Sequence, residues 1–137
     1  MTDFGFTGTS EGTTSAQRKA FRSFLPTSGM TKFRHGDCVH ADCDAHVIVR
    51  QVLPAVPIHG HPPIKDAKRA NCPFDTMSDP RPYLDRNRDI ASECDELLAM
   101  PKGPETPRGG TWYTIRHARS LGKPVTIFWP DGKVERA

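Results

Sequence analysis

The 137-residue chain contains no apolar run of the roughly 20 residues that a bilayer-crossing helix needs. Its start, Met1-Thr2-Asp3-Phe4, has neither the charged region nor the apolar region of a secretory signal. A cytoplasmic protein with no membrane partner is the expectation. Lys and Arg number 19 but form no basic run, and aromatic residues make up only 8%. The stripe of cations interleaved with stacking rings that marks nucleic-acid binders is therefore missing. Neither a Walker loop nor a GxGxxG fingerprint is present, and no internal repeat is visible. The cysteines are few (Cys38, Cys43, Cys72 and Cys94), and in a cytosolic protein they read as reduced thiols rather than a disulfide framework.

What is present is an ordinary globular composition, 36% apolar and 26% charged with a net charge of +3. The length suits one domain spanning residues 1–137. Short apolar runs alternate with segments of helical spacing. Strands are expected at residues 4–7, 31–35, 55–59, 96–100 and 125–129, and helices at 15–25, 42–53, 83–94 and 112–121. Residues 60–82, rich in Pro, Asp, Asn and Lys, read as one long loop, and loops of that length are often functional. Strict alternation of strand and helix predicts an α/β fold: a Rossmann-like three-layer sandwich around a mainly parallel sheet of about five strands. Ligands of such sheets sit beyond the carboxyl ends of the strands.

Three loops with unusual chemistry fall at those ends: residues 8–14, 36–44 and 101–111. In the first, Gly8, Thr9 and Ser10 follow a strand and precede a helix, the setting of a phosphate loop and equally of a plain capped turn. Glu11 in the same loop is either a nucleophile or base for breaking a glycosidic bond, or a solvated loop residue. In the third loop, Gly109 and Gly110 leave the backbone open to close approach, and Thr111 has the chemistry of an N-cap. That pairing is an anion site or simply a cap and tight turn. Arg86 supplies a fork for phosphate and Asn87 can read a ribose or base edge, unless both sit on a solvated helix face. Trp112 and Tyr113 offer rings to stack on a base or to fill the core. His35, Cys38, His40 and Cys43 have zinc-compatible chemistry, but they straddle a strand end, a loop and a helix start. Diverging thiols and capping histidines, with no metal, are the expectation.

Taken in order, these pieces resemble the SLOG superfamily, which groups the DNA-processing Smf/DprA proteins with the Lonely Guy enzymes. The resemblance is carried by the Gly8-Thr9-Ser10 loop, by His35-Gly36-Asp37-Cys38-Val39-His40-Ala41-Asp42, by Arg86-Asn87 and by Gly109-Gly110-Thr111, which match an HGGAxGAD-like motif, an RN helix start and a GGT loop. It implies a Rossmann-like domain that binds a nucleotide or a nucleotide derivative without a further cofactor and forms a homodimer or higher homo-oligomer. By matching position, Gly8, Thr9, Ser10, Gly36, Asp42, Arg86, Asn87, Gly109, Gly110 and Thr111 would bind the ligand. Two departures stand out. Asp37 occupies the second glycine of the HGG-like motif, and Thr114 stands where the Lonely Guy enzymes carry a catalytic Glu. The leading expectation is a nucleotide-ligand sensor or sequestering protein. Beside it stand an N-glycosidic hydrolase or transferase working through Glu11, of the phosphoribohydrolase or deoxyribosyltransferase kind, and a DNA-associated protein.

Overall fold

In the computed structural model, residues 2–65 and 67–136 are described; Met1, Asp66 and Ala137, all within the expected 1–137 domain, lie outside them. The strands are β1 (Thr2–Gly8), β2 (Met30–His35), β3 (Ile58–Gly60), β4 (Thr76–Met77), β5 (Glu96–Met100), β6 (Val125–Phe128) and β7 (Val134–Arg136). The helices are α1 (Ser15–Phe24), α2 (Ala41–Val52), α3 (Tyr83–Glu93) and α4 (Gly110–Ser120). They build one seven-stranded sheet in the order β4-β3-β2-β1-β5-β6-β7. Every pair is parallel except the antiparallel β6–β7 edge.

The α/β fold matches expectation, but the count of about five strands is corrected to seven. Both extra strands are short and exposed along their length. β4 lies within the segment that reads as a loop, and β7 follows the turn at residues 130–132. Neither buries an apolar face, so neither has a pattern of period two to read.

The central strands show why the sheet forms. Along β5, Leu98 and Met100 join Phe4, Phe6, Phe33 and Phe128 on the face covered by α1 and α2, whereas Leu97 and Ala99 join Val125 and Ile127 on the face covered by α3 and α4. Apolar side chains are required on both sides, so the run is continuous rather than alternating. Phe21 of α1 anchors the first face, edge-on to Phe6 at 5.7 Å and to Phe128 at 5.4 Å.

The chain runs outward from β1 through β2, β3 and β4, then returns by α3 to place β5 on the other side of β1. The order of the strands thus reverses between β1 and β5, which opens a crevice beyond their carboxyl ends. Gln17 frames that crevice. Thr14 and Gln17 form a capping box at the start of α1. The Gln17 side chain is buried, and its Nε2 donates to the carbonyls of Pro101 and Phe128 at 2.8 Å each, at the ends of β5 and β6. Replacing Gln17 with Leu should strand both carbonyls and cost about 2 kcal/mol. Chemical denaturation should show this as a lowered midpoint with unchanged slope. A midpoint equal to wild type would mean that Gln17 holds nothing in place.

Candidate functional site

The loops that follow β1, β2 and β5, together with the first turn of α3, enclose a cavity of about 410 Å³ at this crevice. All the expected ligand residues, from Gly8, Thr9 and Ser10 through Gly36, Asp42, Arg86 and Asn87 to Gly109, Gly110 and Thr111, line it, and so does Glu11.

Glycines allow the walls to close up. A Cβ at Gly36 would lie 2.2 Å from Nη1 of Arg86, and one at Gly8 would lie 2.4 Å from the Cβ of Ala41. The missing side chain at Gly36 lets the buried Arg86 guanidinium reach the Gly36 carbonyl and, at 3.1 Å, the carbonyl of His61. Its Nε donates to Asn87 at 2.7 Å, and the guanidinium lies 5.0 Å from the Tyr83 ring.

The start of α4 differs from expectation by one turn of logic. Thr111 is not the N-cap: Gly109 is, with φ at 105°, and the helix begins at Gly110. Only glycine holds that backbone without strain, so the chain turns into the helix before Thr111. No side chain caps this start, and Tyr113 is the first residue whose N–H bonds back, to the Gly109 carbonyl at 3.1 Å. The preceding N–H groups are left for a ligand or water. By contrast, α1 carries a capping box from its own Thr14 and Gln17, and its first helical residues do not line the cavity, so the loop after β1 contributes wall rather than helix-start donors.

Cations surround the α4 start. Lys102 and Arg108 line the cavity, although only the glycine and hydroxyl pattern pointed to this loop. Lys102 pairs with the exposed Glu11 across the mouth, and its hydrogen bond and charge hold the Glu11 carboxyl below its ordinary range. Tyr83 was not foreseen either; its hydroxyl fills the space above Gly110, where a Cβ would stand 1.8 Å away.

Asp42 is a buried acid that also lines the cavity, accepting from the Cys38 N–H at 3.0 Å. Burial pushes its carboxyl up to about 6, against the pull of the Arg86 charge and the neighbouring N–H groups. Asp37, the departure from glycine, has φ at 57°, which asparagine and aspartate tolerate better than most residues. Its buried carboxylate accepts from Arg69 Nε at 2.8 Å and from the Cys72 N–H at 2.9 Å.

The four zinc-compatible residues of the sequence do not gather. His40 is exposed, and His35 is buried against His46 and Cys72 instead. Nδ1 of His35 accepts from the Asp37 N–H at 3.0 Å, so its Nε2 carries the proton and donates to Nδ1 of His46 at 2.9 Å. Both nitrogens of His35 are thereby spoken for, and burial holds the ring neutral by lowering its pKa far below the usual value. In a second grouping, His61 with Asp89 and Glu93, the Arg34 guanidinium reaches His61 at 3.0 Å and Glu93 at 3.1 Å, and Asp89 pairs with Arg81. Trp112 is buried and packs at 5.9 Å from Trp129, while still touching the cavity.

No known protein family matches this sequence, and no curated protein resembles it closely. Solved structures do share its fold. The structural-genomics protein TM1055 is 17% identical, with a TM-score of 0.65 over 91% of this chain and 72% of that one. A molybdenum cofactor binding protein from the phototrophic bacterium Rippkaea orientalis is 18% identical, with a TM-score of 0.69 over 92% of this chain and 75% of that one. Among the described residues, no helix is long and apolar enough to cross a membrane.

Asp42 makes a pH prediction. Its folded pKa, about 6, lies above the unfolded value of 3.8, so the folded state holds the extra proton between those values. The fold therefore loses this contribution as pH rises through 6, by about 3 kcal/mol in all. Asp42→Asn keeps the shape and removes the charge. The variant should melt above wild type at pH 7.5, with the gap closing towards pH 4. A gap that does not change with pH would show that Asp42 is not a strained acid.

Proposed function

We propose that this chain is a SLOG-type Rossmann domain that binds a phosphorylated heterocyclic small molecule of the nucleotide class, as a sensor or a sequestering protein. The phosphate docks at the start of α4. One observation carries the reading: an uncapped helix start, opened by Gly109 and flanked by Lys102 and Arg108, faces the cavity at the point where the strand order reverses. Free N–H donors and the helix dipole favour an anion there, and the two cations add charge-assisted bonds. Asp42 and Asn87, on the opposite wall, suit the hydroxyl and amino edges of a sugar or base. The neighbour named for binding the molybdenum cofactor lends support, because it places a small-molecule ligand in a protein of this fold.

A second reading keeps Glu11 as a catalytic group for N-glycosidic cleavage. Thr114, at the Lonely Guy glutamate position, is buried and donates to the Gly110 carbonyl at 2.7 Å, so it has no part in the cavity. Glu11 does line the cavity, and Lys102 keeps it ionised, which suits a nucleophile or a cation-stabilising group better than an acid.

Calorimetric titration with AMP, GMP and their nucleosides separates the cases. The monophosphates should bind at least tenfold more tightly than the nucleosides, and Lys102→Ala or Arg108→Ala should each remove about tenfold, or about 1.4 kcal/mol, from the monophosphates alone. Equal affinity with and without the phosphate would overturn the phosphate site. Chromatography of the same mixtures tests turnover: release of free base by wild type, abolished by Glu11→Gln with binding intact, would establish the enzyme. Ligand returned unchanged establishes the binder.

A further inference from the structure

The cavity does not end at Tyr83. A second one of about 760 Å³ lies alongside it, and Ser10, Cys38, Tyr83 and Arg86 line both. The two are therefore lobes of one cleft, divided by the Tyr83–Arg86 stack. Their chemistry differs. The first is polar, with the uncapped helix start, Lys102, Arg108 and Asp42. The second is walled by Pro63, Ile64, Ala67 and Pro82, with Lys65 and Lys68 on its rim. Ile64 is 62% exposed at this wall, a large apolar side chain turned towards solvent beside an open cleft.

The outer wall is built, not draped. Residues 62–64 are pinned to Arg81 by the bonds Ile64 N–H to the Arg81 carbonyl (3.1 Å) and Arg81 N–H to the Pro62 carbonyl (3.3 Å). The other end is laced to the loop after β2 by Val39 N–H to the Lys68 carbonyl and Ala70 N–H to the Asp37 carbonyl, both 2.8 Å. The Asp37 carboxylate then clamps Arg69 and Cys72. Lys68 lines the second lobe next to the shared wall: its carbonyl accepts from the N–H of Val39, the neighbour of Cys38, which lines both lobes.

Resting on the phosphate reading above, we infer that the ligand has two ring systems and at least two anionic groups: a dinucleotide-class molecule rather than a mononucleotide. Its terminal phosphate sits at the α4 start, with the first ring in the polar lobe. The linking phosphate passes Lys68 next to the shared wall. The second ring lies in the apolar lobe against Ile64, Pro63 and Tyr83. A mononucleotide would leave that lobe open to water with its apolar wall uncovered. Stacking and burial of a second ring on such walls favour the larger ligand, and the lysines at the rim match its added charge.

The test uses AMP and the 5′-phosphorylated dinucleotides pApA and pGpG, titrated into the full-length wild type and into Ile64→Asp and Lys65→Ala. Both substituted side chains are exposed and line only the second lobe, so the fold and the first lobe are left alone. At least one dinucleotide should bind tenfold or more tightly than AMP. Ile64→Asp should erase that advantage, Lys65→Ala should reduce it, and both should leave AMP within twofold of wild type. Dinucleotides that bind no better than AMP would overturn the second lobe while leaving the phosphate site standing. An advantage that survives Ile64→Asp would also overturn it, because the second ring would then lie elsewhere. If neither AMP nor a dinucleotide binds, the phosphate reading falls and this inference falls with it.

Discussion

Everything at the carboxyl edge of the sheet depends on the buried guanidinium of Arg86. It joins three parts of the chain that are far apart in sequence: its own helix α3, the Gly36 carbonyl at the end of β2, and the His61 carbonyl at the start of the long segment before β4. A buried cation is costly unless its donors are satisfied. Here two carbonyls take up the Nη1 donors and the Asn87 side chain takes up Nε, and the Tyr83 ring lies against the guanidinium. Those partners are all neutral. Among the described residues, no carboxylate forms an ion pair with Arg86, although Asp42 lies close enough to feel its charge. The positive charge is thus placed at the cleft and only partly compensated. Such an arrangement is stable in the empty protein and more stable with an anion beside it.

The same constraint explains which glycines matter. A Cβ at Gly36 would displace the buried Arg86 guanidinium, and one at Gly110 would push aside the half-exposed Tyr83 ring. Both glycines therefore make room for α3 as much as for a ligand. Gly109 is different: its positive φ directs the chain into α4 and leaves the helix start open. Of the glycines that line the cavity, it is the one with a positive φ.

Much of this was legible in the sequence, and the reasons are physical. The buried strands β5 and β6 are short and largely apolar on both faces, so they stand out from the amphipathic helices around them. Loops at the carboxyl ends of the parallel strands must converge, which brings Gly8, Asp42 and Gly109 to one edge without coordinates, whereas Arg86 was assigned there only by the resemblance. What was hidden depends on contacts rather than patterns. β4 and β7 bury nothing, so composition carries no trace of them. Tyr83 opens α3 like any exposed aromatic residue, and nothing local shows that it stands over Gly110. His35 looked like a possible metal ligand because its neighbours in sequence are Cys38 and His40. Its neighbours in space are His46, one helical turn beyond Cys43, and Phe74 in a distant segment. Spacing along a chain that changes direction twice does not report distance.

Asp37 shows how one residue redirects a shared scaffold. With glycine there, the loop after β2 would turn in the same way, since φ at 57° suits glycine at least as well. The carboxylate adds two bonds, to Arg69 and Cys72, and the Asp37 backbone carbonyl adds one from Ala70. These convert the middle of a long irregular stretch into a fixed wall beside the cleft. A long loop on the surface of a domain normally costs entropy to order. Here one buried acid supplies part of the ordering, together with the backbone bonds at Arg81 and Val39. The departure from the expected motif thus coincides with the wall beside the cleft: the Asp37 carboxylate that replaces a glycine is the group that holds Arg69 and Cys72 in it.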